Sequence, residues 1–130
     1  MLVYTILVTH SLFDSQNSKS AFLFSKNIMQ TTNNSIHSIF FYSDGVFNGI
    51  NRMNESVNGI NLVDCWCKFS KKFSINLYLC STAARNRGMV FKSDAKNISV
   101  VHDNHHAGFQ LVGLGKLAYS ILHSDRLLQF

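Results

Sequence analysis

Ile75-Asn76-Leu77-Tyr78-Leu79-Cys80-Ser81-Thr82-Ala83-Ala84-Arg85 is the stretch on which the fold of this chain turns. Ile75 to Leu79 reads as an apolar strand, and Ser81 to Arg87 as a short helix that follows without a loop. Cys80 stands at the junction. In an open α/β sheet, ligands bind beyond the carboxyl ends of the strands. A thiol there faces the amino end of the next helix, whose unpaired N–H groups and dipole favour an anion. Such a setting lowers a cysteine pKa from about 8.5 to roughly 3.5–7.5 and gives a nucleophilic thiolate at neutral pH. Arg85 and Arg87 add positive charge one turn on. A buried cysteine that only packs is the plain alternative, since free cysteine is among the most buried residue types.

Working outward, strand and helix signals alternate. Val3 to Val8 is a nearly continuous apolar run, the pattern of a strand buried on both faces in a parallel sheet. Ser18 to Met29 repeats apolar residues at helical spacing (Ala21, Phe24 or Ser25, Ile28), with Ser15 or Ser18 as a cap. Thr31 to Ser35 reads as a turn, Ile36 to Tyr42 as the second strand, and Ser43-Asp44-Gly45 as a turn signal. Phe47 to Ile60 is rich in Asn and Gly and reads as a mobile surface loop. Leu62 to Phe73 is helical, with Leu62, Trp66 and Phe69 on one stripe and Lys68, Lys71 and Lys72 outside it. A second short helix near Ser93 to Lys96 is expected. Ile98 to Val101 reads as a short strand or an irregular segment. Val112 to Leu122 reads as a helix and Arg126 to Gln129 as a last strand.

Strands alternating with helices at this spacing imply βαβ units and right-handed crossovers. The expected fold is a single three-layer α/β domain over residues 1–130. It has a mostly parallel sheet of four to five strands and helices on both faces. The segments after each strand then gather on one edge, so His10, Ser11, Asp44 and Cys80 should share it.

The chain has 130 residues and 46% hydrophobic content, enough for one domain with a real core. No apolar run approaches the roughly 20 residues that span a bilayer. Met1 to Val8 is apolar but lacks a basic flank and a cleavage site, so it reads as a strand rather than a signal peptide. A cytoplasmic location is expected. Three cysteines without scaffold spacing fit a reducing compartment. Lys and Arg outnumber Asp and Glu by 12 to 7, a net charge of +5, which suits an acidic partner or nucleic acid. The basic residues are scattered and lack the aromatic interleaving of a single-strand binder, so direct nucleic-acid binding is not expected. The abundance of Asn, Lys and Ile without proline also fits a chain drifting under A/T-biased mutation.

Other constellations carry less chemistry. His102, His105 and His106 have metal-like spacing but no nearby acidic or thiol partner, and a solvated loop is the preferred reading. Cys65 and Cys67 flank Trp66 at i and i+2, about 200° apart on a helix, which disfavours chelation or a disulfide. They read as packing residues. Gly113-Leu114-Gly115 lacks the third glycine of a dinucleotide fingerprint and reads as a tight start to a helix. His10 beside Cys80 would form an activated Cys–His pair if the two meet.

These residues together resemble the DsrE/TusD-like sulfurtransferase family over nearly the whole chain. The likeness is carried by Ser20-Ala21-Phe22, by Asp44-Gly45 and Val46-Phe47-Asn48 after Ile39 to Tyr42, and by Leu79-Cys80-Ser81-Thr82-Ala83-Ala84-Arg85-Asn86-Arg87-Gly88. It continues in Gly108-Phe109-Gln110-Leu111-Val112-Gly113-Leu114-Gly115 and Ser124-Asp125-Arg126-Leu127-Leu128-Gln129-Phe130. The resemblance implies a DsrE-like fold and a sulfurtransferase in which Cys80 carries sulfur as a persulfide. Arg85, Arg87, Ser81 and Thr82 would stabilise the anion. It implies a TusA-like sulfur donor, a TusE-like acceptor and, finally, 2-thiolation of the tRNA wobble uridine by a separate enzyme. It also implies TusB-like and TusC-like subunits in a dimer of heterotrimers, with no metal or organic cofactor. The His10-Ser11 loop, the Asn-rich stretch from Asn48 to Asn61, and Cys65 and Cys67 depart from the family pattern.

Two rivals stand beside this reading. One is a non-catalytic assembly subunit of the same fold. The other is a flavodoxin-like module for a small ligand, which would need a phosphate-cradling first loop, and His10 to Asn17 holds no glycine. Phe47, Trp66 and Phe109 are candidates for an exposed apolar interface patch, or else for the core.

Overall fold

The computed structural model describes residues 1–50, 61–89 and 106–130. Five strands form one sheet: β1 (Val3–Val8), β2 (Ser35–Phe41), β3 (Asn76–Cys80), β4 (Gln110–Val112) and β5 (Arg126–Gln129). Their spatial order is β4-β3-β2-β1-β5, and all four pairings are parallel. The helices are α1 (Asn17–Thr31), α2 (Leu62–Phe73), α3 (Ser81–Asn86) and α4 (Leu114–Leu122), with a 3-10 helix over Ser43–Gly49. The expected α/β architecture and its strands at Val3–Val8 and Arg126–Gln129 are therefore found as read.

Side-chain alternation assigns the faces. Tyr4 packs its ring on Phe24 of α1, and Phe41 packs on Trp66 of α2. At odd spacing from these, Thr5 (one residue from Tyr4) and Ser38 (three residues from Phe41) point the other way. Thr5 donates to the Ser120 carbonyl and Ser38 to the Ser120 hydroxyl, which brings α4 onto the opposite face. Helices α1 and α2 thus cover one side with an aromatic layer of Phe22, Phe41, Trp66, Phe69 and Phe109. Trp66 and Phe109 belong to this core and not to an exposed patch: their relative exposures are 0% and 2%.

The other face is thinly covered. Ser120 is the only fully described buried residue of α4. Its helix docks through hydroxyls and the half-buried Leu117, while Leu114, Tyr119, Ile121 and Leu122 turn outward, Leu122 to 82% exposure. The large exposed apolar set therefore sits on α4 and on Leu127 of β5, away from the expected positions.

Three further readings are corrected. The cap position of α1 is Gln16, which makes no side-chain bond; Ser15, one residue earlier, accepts the Asn17 amide at 2.9 Å, and Ser18 lies inside the helix. Ser18 is buried and donates to the His10 carbonyl. Val112 ends strand β4 and is not the first residue of a helix; α4 starts only at Leu114, with Gly113 as its extended cap. Phe47 to Gly49 close the 3-10 helix instead of opening a surface loop, and Asn48 and Gly49 are buried. The expected helix near Ser93 to Lys96, the segment Ile98 to Val101, and His102 and His105 lie outside the described residues.

Candidate functional site

The loop after β2 and the start of α3 meet at the carboxyl edge of the sheet. Cys80 ends β3, pairs with Val112 of β4, and is itself the cap residue of α3, with extended backbone (φ −64°, ψ 114°). It shares the α4 side of the sheet with Tyr78, two residues earlier. Cys80 is 2% exposed. It lines a half-open cavity of about 300 Å³ together with Tyr42, Ser43, Thr82, Asn86, Arg87 and Leu114.

Ser43 adopts a left-handed backbone (φ 54°). A non-glycine residue there costs on the order of 1–3 kcal/mol and persists only where its surroundings hold it. Two clamps do so. The Gly45 amide bonds to the Tyr42 carbonyl, and the Tyr42 amide bonds to the Val8 carbonyl. A Cβ at Gly45 would fall 2.0 Å from that same Val8 oxygen, so only glycine lets the turn lie against β1. The second clamp is Arg87. Its Nε donates to Asp44 Oδ1 at 2.8 Å, Nη2 to Ser43 Oγ at 3.2 Å and Nη1 to the Ala83 carbonyl at 3.2 Å. Arg87 therefore straps the β2 turn to α3 across the mouth of the cavity.

Behind this turn, Asn48 is fully buried and works as a hub. Its Oδ1 accepts from Trp66 Nε1 (3.1 Å), and its Nδ2 donates to Ser18 Oγ (3.0 Å) and the Gly45 carbonyl (2.9 Å). These bonds satisfy three buried polar groups at once, and they seat the 3-10 helix on α1 and α2.

Of the residues expected at the site, the fold brings Cys80, Thr82 and Arg87 together on one cavity, with Asp44 on its rim. Ser81 and Arg85 do not line it. The charge of Arg87 is shared with the Asp44 carboxylate, so it acts as a strap first. Helix α3 spans only six residues, which makes its dipole a small contribution. His10 is placed elsewhere: it lies beyond β1, with β2 between it and β3, and Nδ1 meets Asn17 Nδ2 at 3.2 Å. It does not line the Cys80 cavity. Tyr42, Ser43, Ala83, Asn86 and Leu114 complete the lining; apart from the turn signature around Ser43, they were marked only by their place in the family pattern.

Cys67 and His106 form a contact that spacing could not show. Cys67 Sγ lies 3.3 Å from His106 Nδ1, which also accepts the Gly108 amide at 3.0 Å. Burial and the nearby Asp64 carboxylate push the Cys67 thiol up to about 11. It is therefore a neutral packing thiol at physiological pH, as read for Cys67. All three cysteines are free. No group of three or more metal-ligating side chains occurs among the described residues. No described helix is long and apolar enough to cross a membrane.

Comparison with known proteins sets this geometry in a family. The model of the DsrE/DsrF-like family matches residues 2–130. A protein named sulfurtransferase TusD from Buchnera aphidicola subsp. Acyrthosiphon pisum (strain 5A) is 41% identical over 127 residues, covering 98% of both chains. One named sulfurtransferase TusD homolog from Vibrio vulnificus (strain YJ016) is 33% identical over 129 residues, covering 99% of this chain and 98% of its own. The crystal structure of the ychN protein from E. coli aligns over 100% of both chains with a TM-score of 0.74 at 22% identity, a likeness of fold alone. With the family pattern spanning the whole domain and Cys80 standing at the edge where such folds place their chemistry, the chain belongs to the DsrE/DsrF-like family.

Proposed function

We propose that this protein is a sulfur-relay sulfurtransferase in which Cys80 carries sulfane sulfur as a persulfide. One observation carries the reading. The only cysteine at the carboxyl edge of the parallel sheet lines a cavity of about 300 Å³, in a chain whose TusD relatives align over its full length.

The step balances without a cofactor. The Cys80 thiol gives its proton to solvent, and the thiolate attacks the outer sulfur of a donor persulfide. The donor S–S bond breaks as the new one forms, and the donor thiolate takes up a proton. The outer sulfur then leaves Cys80 by the same exchange with an acceptor thiolate. No net oxidation occurs. Rate depends on thiolate fraction and on access to the sulfur. In this reading Thr82, which lines the cavity, and the amide groups at the start of α3 hydrogen-bond the persulfide anion, while Arg87 holds the Ser43 turn beside them. At 2% exposure Cys80 is shielded from stray thiols. A partner must therefore reach in with an extended cysteine-bearing segment, or shift the Tyr42–Ser43 turn.

The donor in this reading is TusA-like, the acceptor TusE-like, and the end product the 2-thiolated wobble uridine of tRNA, made by a separate enzyme. The companions are TusB-like and TusC-like subunits in a dimer of heterotrimers. The outward apolar residues of α4 support membership of an assembly, since a lone soluble chain rarely leaves such a set uncovered. They fit the purely structural rival equally well; the cavity at Cys80, which a purely structural subunit would not need, is what favours the carrier. The flavodoxin-like alternative gains nothing from the first loop, where no glycine cradle is found between His10 and Asn17.

The test is intact-protein mass spectrometry after incubation with a cysteine desulfurase, cysteine, a TusA-like carrier and the partner subunits. Wild type should gain one sulfur mass and Cys80→Ser none. Gain on neither would favour the assembly subunit. Gain on both would move the chemistry to Cys65 or Cys67.

A further inference from the structure

A second concave surface lies between α1 and α2, on the face of the sheet away from α4. It is a groove of about 270 Å³ whose floor is Phe22, Phe69 and Phe73 and whose rims carry Lys26 on α1 and Lys68 and Lys72 on α2. It shares no residue with the Cys80 cavity. All strands are parallel, so α1 and α2 run side by side in one direction. The groove between them is open along its length, and it reaches toward their carboxyl ends, away from the Cys80 edge.

The three lysines are exposed, and among the described residues none has a carboxylate within ion-pair distance. Lys68 and Lys72 stand one turn apart, about 6 Å along the helix. Lys72 also lies 5.2 Å over the Phe73 ring, held at the rim. No acidic residue lines the groove. The surface is thus an aromatic trough between two cationic edges. Its complement is a helix with an apolar stripe flanked by carboxylates, since helices dock into helix–helix grooves through i, i+3/i+4 anchors while flanking charges set register and on-rate. A β-strand has no free backbone edge to pair with here, and stacked nucleobases would need aromatic faces that Phe69, buried in the core, does not offer.

We propose that the α1–α2 groove is a docking site for an acidic amphipathic helix of a partner protein. The apolar stripe seats on Phe22 and Phe73, and carboxylates on its two flanks meet Lys26 on one side and Lys68 and Lys72 on the other. The site is separate from sulfur transfer and holds whether or not Cys80 is the carrier.

The test uses the full chain with Cys80→Ser and a synthetic helical peptide with leucines at a and d and glutamates at e and g. A scrambled peptide of equal composition, folded tRNA and anionic phospholipid vesicles are run beside it. Binding is read by fluorescence anisotropy at low and high salt, and by protection of Cys65, which lines the groove, from alkylation. The helical acidic peptide should bind at least tenfold tighter than the scramble, weaken with salt and protect Cys65. Each of Lys26→Glu, Lys68→Glu and Lys72→Glu should weaken it roughly three- to tenfold. The triple variant should instead prefer a peptide carrying lysine at e and g. These exposed lysines can be reversed without touching the core, and circular dichroism checks that they have been. Equal binding of scramble and helix, or no change of preference in the triple variant, would overturn the proposal. So would tRNA or vesicle binding that the triple variant abolishes, by assigning the same charges to a different class of partner.

Discussion

Asn48→Ala should be among the most costly single changes that leave the aromatic core intact. Asn48 is fully buried. Truncation removes the acceptor of the Trp66 indole N–H and the donor to the Gly45 carbonyl, and takes one of the two partners of the Ser18 hydroxyl. A buried polar group left unpaired costs about 1–3 kcal/mol. Two such groups give a loss of about 2–6 kcal/mol, a large part of the roughly 5–15 kcal/mol that holds a domain folded. With a urea slope of about 2 kcal/mol/M, the midpoint should fall by about 1–3 M. The chain has one tryptophan, Trp66, so its emission reports this site directly. Trp66→Phe provides the control, read by circular dichroism. With the indole donor gone, Asn48→Ala should cost about 1–2 kcal/mol less than in wild type, a coupling that a double-mutant cycle isolates. Because Asn48 also seats the turn carrying Ser43 and Asp44, alkylation of Cys80 should quicken well below the unfolding midpoint. A loss under about 1 kcal/mol, or strict additivity with Trp66→Phe, would refute the hub argument.

Three further outcomes follow from the same geometry. Arg87→Ala should speed iodoacetamide modification of Cys80 about fivefold by freeing roughly 1 kcal/mol of local structure at the cavity mouth. Global stability should fall by less than about 1 kcal/mol, because the Asp44 partner is more than half exposed. Arg87→Lys should resemble Ala rather than wild type, since lysine cannot span Asp44, Ser43 and Ala83 at once. Cys67 is held up to about 11 in the fold against 9.0 unperturbed, by burial first and Asp64 second. The unfolded chain then loses that proton first, so stability is fully present below about pH 9 and falls by about 2–3 kcal/mol as pH rises toward 11. Cys67→Ala should flatten that alkaline slope in urea titrations. His37 is held below its usual 6.5 by burial, then by His123 and Lys116. Its neutral form is favoured by folding, so stability should decline as pH drops below 6.5, and His37→Gln should remove that acid-side slope in thermal melts between pH 5 and 7.

The position of His37 also shows where pattern and structure part. Alternation from Ser38 would turn its ring toward α1, but the register slips between Tyr4 and Thr5, which leaves His37 as the extra residue of a bulge. Its ring stacks instead near His123 and Tyr119 on the α4 side. Such a bulge comes from the pairing of two strands and leaves no mark in the order of residues. Strand β4 was illegible for another reason. Gln110–Val112 is three residues long, its first residue is polar, and it pairs on one side only, so it lacks the continuous apolar run of a central strand. Helix α2, by contrast, runs over the expected residues with its lysines outside, because a stripe of Leu62, Trp66 and Phe69 has only one way to meet a sheet.

The sequence by itself determined the α/β class, the helical stripe of α2 and the place of Cys80 at a strand end, because these depend on short-range periodicity and on the chain direction of a parallel sheet. It also carried the family pattern in order and spacing. Only the tertiary structure decided that Arg87 is tied to Asp44 and Ser43, that Asn48 is a buried hub instead of a loop residue, that His10 stays away from Cys80, and that α4 turns its apolar side outward. Each of these depends on which groups, distant along the chain, finish within hydrogen-bonding or packing distance. An asparagine or an arginine has the same composition value on the surface as in the interior, and only its partners tell the two apart.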